Sequence, residues 1–127
     1  MSAWANGISA ITLFVPDLAA AKAFYERVFG AQLIFEDPSS AAFEFGATIV
    51  NLLVETEAPE LIEPARVAPA GVGSRMQLTI TVDDVDAVCD ELRARGVEFL
   101  NGPIDRPWGI RTAAFADPAG HVWEIAK

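Results

Sequence analysis

Histidine and cysteine are almost missing from this chain: 127 residues contain one of each, His121 and Cys89. A lone cysteine excludes an internal disulfide, and its place among Val85, Val88 and Leu92 at helical spacing reads as a small core residue rather than a reactive thiol. Long apolar runs are missing too. Charged residues or proline break every hydrophobic stretch well before the roughly 18 residues that a bilayer-spanning helix needs, and the N-terminus has no basic, apolar, small-residue leader pattern. These absences argue against a membrane partner and point to a cytoplasmic protein. Basic residues are scarce: 9 Lys+Arg face 18 Asp+Glu, a formal net charge of −9. Such a surface repels phosphate backbones and argues against nucleic acid as a partner. It either serves solubility alone or favours a cationic ligand.

What the chain has in quantity is repetition. Ile11-Thr-Leu-Phe-Val-Pro-Asp17 leads into a helical run ending at Gly30, and Leu78-Thr-Ile-Thr-Val-Asp-Asp84 leads into another ending at Gly96. At the offset of 67 that separates position 11 from position 78, Thr12 meets Thr79, Leu13 meets Ile80, Val15 meets Val82 and Asp17 meets Asp84. Two copies of one unit imply a pseudo-twofold domain with equivalent strand positions around a shared cavity. A hydrophobic content of 52% suits a single core for a chain of this length.

Within the first copy, Ile11, Leu13 and Val15 alternate with Ala10, Thr12 and Phe14, so both faces of this strand read as covered. Asp17 is a suitable cap for a helix over 18–29, whose apolar positions Leu18, Ala21, Phe24, Tyr25 and Val28 recur at helical spacing, and Gly30 stops it. Strands follow at 32–36, 41–45 and 48–54, separated by Asp37-Pro-Ser-Ser40 and Gly46. Residues 55–74, with four acids, three prolines and two glycines, read as a linker or lid. The second copy gives a strand over 76–82, a helix over 85–95 capped by Asp84, and strands at 97–100, 111–116 and 122–126, the last two joined by the turn Asp117-Pro-Ala-Gly120. The predicted fold is α+β: one domain over 1–127, built from two pseudo-twofold β-α-β-β-β units at about 8–54 and about 75–127.

The segment Ile8 to Gly30 and the closing segment Pro107-Trp-Gly-Ile-Arg-Thr-Ala-Ala-Phe-Ala-Asp-Pro-Ala-Gly-His-Val-Trp-Glu-Ile125, within paired β-α-β-β-β units, resemble the vicinal oxygen chelate superfamily. That superfamily includes glyoxalase I, extradiol dioxygenases, fosfomycin-resistance enzymes and bleomycin-resistance proteins. The resemblance implies two curved half-barrel sheets around a cavity, and it spans nearly the whole chain. It identifies the fold better than the function, because the scaffold serves isomerases, transferases, oxygenases and plain drug binders.

In the metal-dependent members a histidine on the first strand and a glutamate on the last strand of each unit point into the cavity. Carried over, these positions fall at Ala10, Gln77, about Asn51, and Glu124, of which only Glu124 is a strong ligand. Neighbours that a shifted register would substitute (Ile49, Leu53, Thr12, Phe14, Thr79, Thr81) are poor ligands, and the exception, Glu55, sits at the strand end. His121 lies three residues before Glu124, hence on the opposite strand face, and reads as a turn or surface histidine. The resemblance therefore implies no metal and no other cofactor.

What remains suits a small organic ligand. Phe14, Asn51, Gln77, Thr79, Trp108, Arg111 and Glu124 are the candidate binding residues, with Glu124 the catalytic candidate if the protein is an enzyme. Glu124 either contacts ligand or pairs with Arg111 or another inward polar residue, and Gln77 either contacts ligand or is a satisfied polar position between strands. Trp108 either stacks on a planar or cationic ligand or packs in a dimer interface. Trp123 reads as core, and Trp4 as a cap on the domain or on a partner subunit. Three functions stay open: a metal-free binder of an antibiotic-like or cationic aromatic compound, a lyase, isomerase or oxygenase with a degenerate metal site, and an assembly or regulatory protein with a filled cavity. A homodimer is expected in each case, since open half-barrel edges are usually paired or covered.

Overall fold

The computed structural model describes residues 4–127, and these divide into two units between Pro69 and Ala70. In the first unit β1 (Ala10–Val15) runs into α1 (Leu18–Phe29), followed by β2 (Gln32–Glu36), β3 (Ser40–Phe45) and β4 (Thr48–Val54). The sheet order is β1-β4-β3-β2, with β1 parallel to β4 and the other pairs antiparallel. The second unit repeats this with β5 (Gln77–Thr81), α3 (Val85–Ala94), β6 (Phe99–Asp105), β7 (Arg111–Ala116) and β8 (Val122–Ala126) in the order β5-β8-β7-β6. The fold is therefore α+β, two four-stranded mixed sheets with helices, and neither sheet closes into a barrel.

The two long helices, α1 and α3, start where their caps were expected. Asp17 accepts a hydrogen bond from the Ala20 amide at 3.0 Å and Asp84 accepts one from the Ala87 amide at 3.0 Å, satisfying donors that the first helical turn leaves free. The helices then cover one face of each sheet. Leu13, Val15, Phe43, Val50 and Leu52 are buried against α1 with its Ala21, Phe24, Tyr25 and Val28, while Ala113, Phe115, Trp123 and Ile125 are buried on the α3 side with Val85, Cys89 and Leu92. Trp123 and Cys89 are thus core, as their spacing suggested. Trp4 is exposed.

Two expectations are corrected. The even-numbered side of β1 is covered only in part: Ala10 and Thr12 are exposed and Phe14 is half-buried, because α1 can shield one face of the sheet alone. Residues 55–74, read as a linker or lid, carry local structure: Glu55–Glu57 form a 3-10 turn and Pro59–Ile62 a short helix, α2, with Ala58 fully buried between them. Pro59 at the first helical position, where no amide donor is needed, explains why proline starts this helix instead of preventing it. Finally, β6 runs on to Asp105, through Gly102-Pro103, where the sequence suggested a stop at Leu100. Its register shifts twice, between Phe99 and Asn101 and between Asn101 and Ile104, so the strand absorbs the glycine and proline as irregularities at a sheet edge.

Candidate functional site

The polar candidates lie mostly on the faces turned away from the helices, and strand pairing gives both faces the same order. In the first unit Thr12, Asn51, Ala42 and Phe35 stand side by side across β1, β4, β3 and β2. In the second, Thr79, Glu124, Ala114 and Asn101 do so across β5, β8, β7 and β6. Asn51 is therefore the counterpart of Glu124, opposite the repeat-related threonines. The first row is neutral and ends on an exposed phenylalanine, whereas the second carries a carboxylate and ends on an amide.

Glu124 is half-buried, and its Oε1 accepts a hydrogen bond from Thr79 Oγ1 at 3.0 Å. Gln77 is exposed on the same face, diagonal to Glu124. Phe14 and Asn51 occupy the helix-free face of the first unit. Trp108 is 70% exposed at the tip of a turn, Arg106-Pro-Trp-Gly109, that the Gly109 amide closes on the Arg106 carbonyl at 3.0 Å.

Arg111 does not join this set. It lies on the helix side of β7, where its guanidinium donates to Asp86 of α3 at 2.9 and 3.2 Å and to Asp105 of β6 at 3.0 Å. These bonds, the one to Asp86 foremost, hold its pKa above the already high arginine value. The alternation of β7 decides the matter: Arg111 shares a face with Ala113 and Phe115, so the partner of Glu124 is Thr79. His121 also serves the local turn. Its Nδ1 lies 2.9 Å from Oδ2 of the buried Asp117, whose Oδ1 accepts from the Ala119 and His121 amides, both at 2.9 Å. Burial pushes the Cys89 thiol up, away from thiolate chemistry. Glu55 lines an open pocket of about 560 Å³ with Glu63, Arg66 and three prolines, within residues 55–69.

One cluster escaped the sequence reading. Arg106 donates through Nε to Thr112 Oγ1 at 2.9 Å and through Nη2 to Asn101 Oδ1 at 3.0 Å. Thr112 and Asn101 both belong to the helix-free face, as their pairing with Ala126 and Ala114 requires, so this guanidinium sits on the face that bears Glu124. The available signal was Arg106-Pro-Trp-Gly109, which drew attention only for its tryptophan.

Over residues 7–125 the sequence matches the glyoxalase/bleomycin resistance protein/dioxygenase superfamily. The chain belongs to that superfamily. It is 31% identical over 121 residues to the uncharacterized protein YraH of Bacillus subtilis, spanning 92% of this chain and 94% of that protein. It is 31% identical over 120 residues to the metallothiol transferase FosB of Lysinibacillus sphaericus, spanning 94% of this chain and 81% of that one. The crystal structure of a glyoxalase/bleomycin resistance protein/dioxygenase from Nocardioides superposes with a TM-score of 0.85 at 29% identity, covering 94% of this chain and 82% of that chain.

Metal-dependent members of the glyoxalase/bleomycin resistance superfamily set the chemical test for these strands. Ala10 is diagonal to Asn51 in one sheet and Gln77 is diagonal to Glu124 in the other, the placement that the resemblance implied. Neither unit's donors match a divalent cation: the first offers a methyl group and an amide, the second an amide and one carboxylate, and amides bind such ions weakly. Among the described residues no three His, Cys, Asp or Glu side chains lie together as a metal set needs. No helix among them is long and apolar enough to cross a membrane.

Proposed function

We propose that this chain is a cytoplasmic, homodimeric binding member of its superfamily, which holds a small organic ligand on the helix-free face of the second unit without a resident metal. The observation that carries the reading is the setting of Glu124. Its carboxylate is tied to Thr79 at 3.0 Å and is followed across the sheet by the small, buried Ala114. One oriented acceptor next to a small residue, with Gln77 on the same face and an exposed indole on the following turn, suits recognition of a compact molecule by shape and a few hydrogen bonds. Trp108 then supplies a stacking surface.

The similarity to a metallothiol transferase favours a second reading, a lyase, isomerase or oxygenase-type enzyme with an unusual metal site. Elemental analysis after dialysis against Zn²⁺, Ni²⁺ and Mn²⁺ separates the two. The binding reading expects far less than one ion per chain, and about one tightly held ion would move the enzyme reading ahead. Trp108→Ala is expected to weaken an aromatic ligand by about 1–3 kcal/mol. Light scattering is expected to report a dimer at micromolar concentration, and a monomer there would remove the second subunit from the proposal.

A further inference from the structure

We infer that Arg106 is an oxyanion receptor, and that the ligand of the second unit is a small carboxylate or phosphonate-type molecule whose anionic end meets this guanidinium. The inference rests on the binding reading above and adds the chemical class of the ligand. Carboxylates outnumber cations 18 to 9 in this chain, and among the described residues Arg66 and Arg75 make neither an ion pair nor a side-chain hydrogen bond, while other cations pair with acids. Arg111 has two, Asp86 and Asp105, and Lys22, Arg93 and Arg95 each have one. Arg106 is held otherwise. Among the described residues it makes no ion pair, yet its side chain is fixed by two neutral oxygens, Thr112 Oγ1 and Asn101 Oδ1.

A guanidinium has five N–H donors in a planar fork. Two of them are used here, through Nε and Nη2, which leaves three donors and the full charge for a partner outside the chain. Hydrogen bonds from a guanidinium are charge-assisted and directional, and here both go to neutral oxygens, which orient the side chain and leave its charge unanswered, the arrangement of a planar anion fork.

The row of cross-strand neighbours gives the ligand a size and a second end. Asn101 and Glu124 stand on either side of Ala114, one strand away each, hence roughly 10 Å apart at the backbone. A ring or short chain of that length reaches from the Arg106 fork, beside the exposed Asn101, toward the half-buried Glu124, and Trp108 is two residues from Arg106 on the same turn. The excess of acid on the protein surface had suggested a cationic ligand. Arg106 reverses that expectation for this face and leaves Glu124 to accept a hydrogen-bond donor at the far end.

The test is a titration of ¹⁵N-labelled full-length protein with benzoate, phenylphosphonate and the neutral benzyl alcohol, followed by NMR at the Arg106 Nε–H, the Asn101 side-chain amide and the Trp108 indole. Benzoate or phenylphosphonate, or both, is expected to move the Arg106 and Asn101 signals along a saturable curve, and benzyl alcohol is expected not to. Which anion saturates at the lower concentration tells a carboxylate from a phosphonate ligand. Arg106→Gln is expected to weaken the anions about tenfold with little effect on benzyl alcohol, and Arg106→Lys to recover part of the loss, since it restores charge without the fork. Unfolding midpoints of both variants separate lost binding from lost folding. Anion shifts at Arg106 that rise linearly without saturation in the wild-type protein would overturn the inference. So would equal affinity for the anions and benzyl alcohol with no change in Arg106→Gln, although the face would then remain a binding site. If saturable shifts from all three probes avoid the Trp108 indole and the Thr79 and Glu124 amides, the binding reading itself falls.

Discussion

Gly102→Ala is expected to lower the unfolding free energy by roughly 2–5 kcal/mol, out of the ~5–15 kcal/mol typical of a domain. Gly102 has φ +83°, a conformation that costs an L-residue about 1–2 kcal/mol. Space is the larger problem. A Cβ there would stand 2.7 Å from Ala113 Cα, and closer still to the Thr112 carbonyl oxygen, so backbone must move instead of a side chain. Forcing a methyl group into a packed position adds about 1–3 kcal/mol. Gly30 is the control: φ is +61° but nothing lies within 4 Å of the added carbon, so Gly30→Ala should cost only the conformational part. Urea unfolding measures both. Equal shifts in midpoint for the two variants would show that the close approach of β6 to β7 is not what requires glycine at 102. The neighbour Asn101 holds the Arg106 guanidinium at 3.0 Å, so Gly102→Ala should also disturb that pair even where the protein stays folded.

The same strand marks where sequence reasoning stopped. Helices 18–29 and 85–94 were legible because a capping aspartate, a helical apolar stripe and a closing glycine agree at each. Strands 48–54, 111–116 and 122–126 were legible because each is a short, mostly apolar run bounded by turn residues such as Gly46 and Asp117-Pro-Ala-Gly120. Alternation fails in β6, where Gly102-Pro103 stands in for two ladder residues, and local rules read a strand end. Losing β6 meant losing Asn101, and without Asn101 nothing suggested that Arg106 had neutral partners. Arg111 went astray differently. Its distance from Glu124 in sequence permits contact, but one residue of alternation sends it to the helix side of the sheet, where Asp86 waits. The repeat itself was the strongest guide: it matched Thr12 to Thr79, and the strand pairing then set them beside Asn51 and Glu124 respectively. The resemblance located the family, but it described positions of metal ligands, and the face that results here is defined by residues outside those positions.

Phe43→Ala is expected to cost about 3–5 kcal/mol, the range for removing a fully buried aromatic ring. Phe43 has no exposed surface; its ring stacks on Tyr25 at 5.9 Å, and Tyr25 in turn meets Phe24 at 5.8 Å and Phe29 at 5.2 Å. Phe45, two residues on, joins the cluster through Phe29 at 5.2 Å. These rings bind α1 to β3 in the first unit; in the second unit Phe99 meets Phe115 at 5.8 Å. Truncation at 43 opens a cavity between stacked rings whose backbones are fixed by helix and sheet hydrogen bonds, so little collapse can fill it. Phe43→Leu should cost less, because an aliphatic side chain fills part of the volume. Ala42 and Glu44 point to the opposite face, so the helix-free row Thr12, Asn51, Ala42 and Phe35 keeps its side chains in either variant. Hydrogen exchange on the folded variant is expected to show protection lost first in α1, β3 and β4. A cost below about 1 kcal/mol for Phe43→Ala, or exchange that rises equally in α3, β7 and β8, would mean that the aromatic cluster does not anchor the first unit.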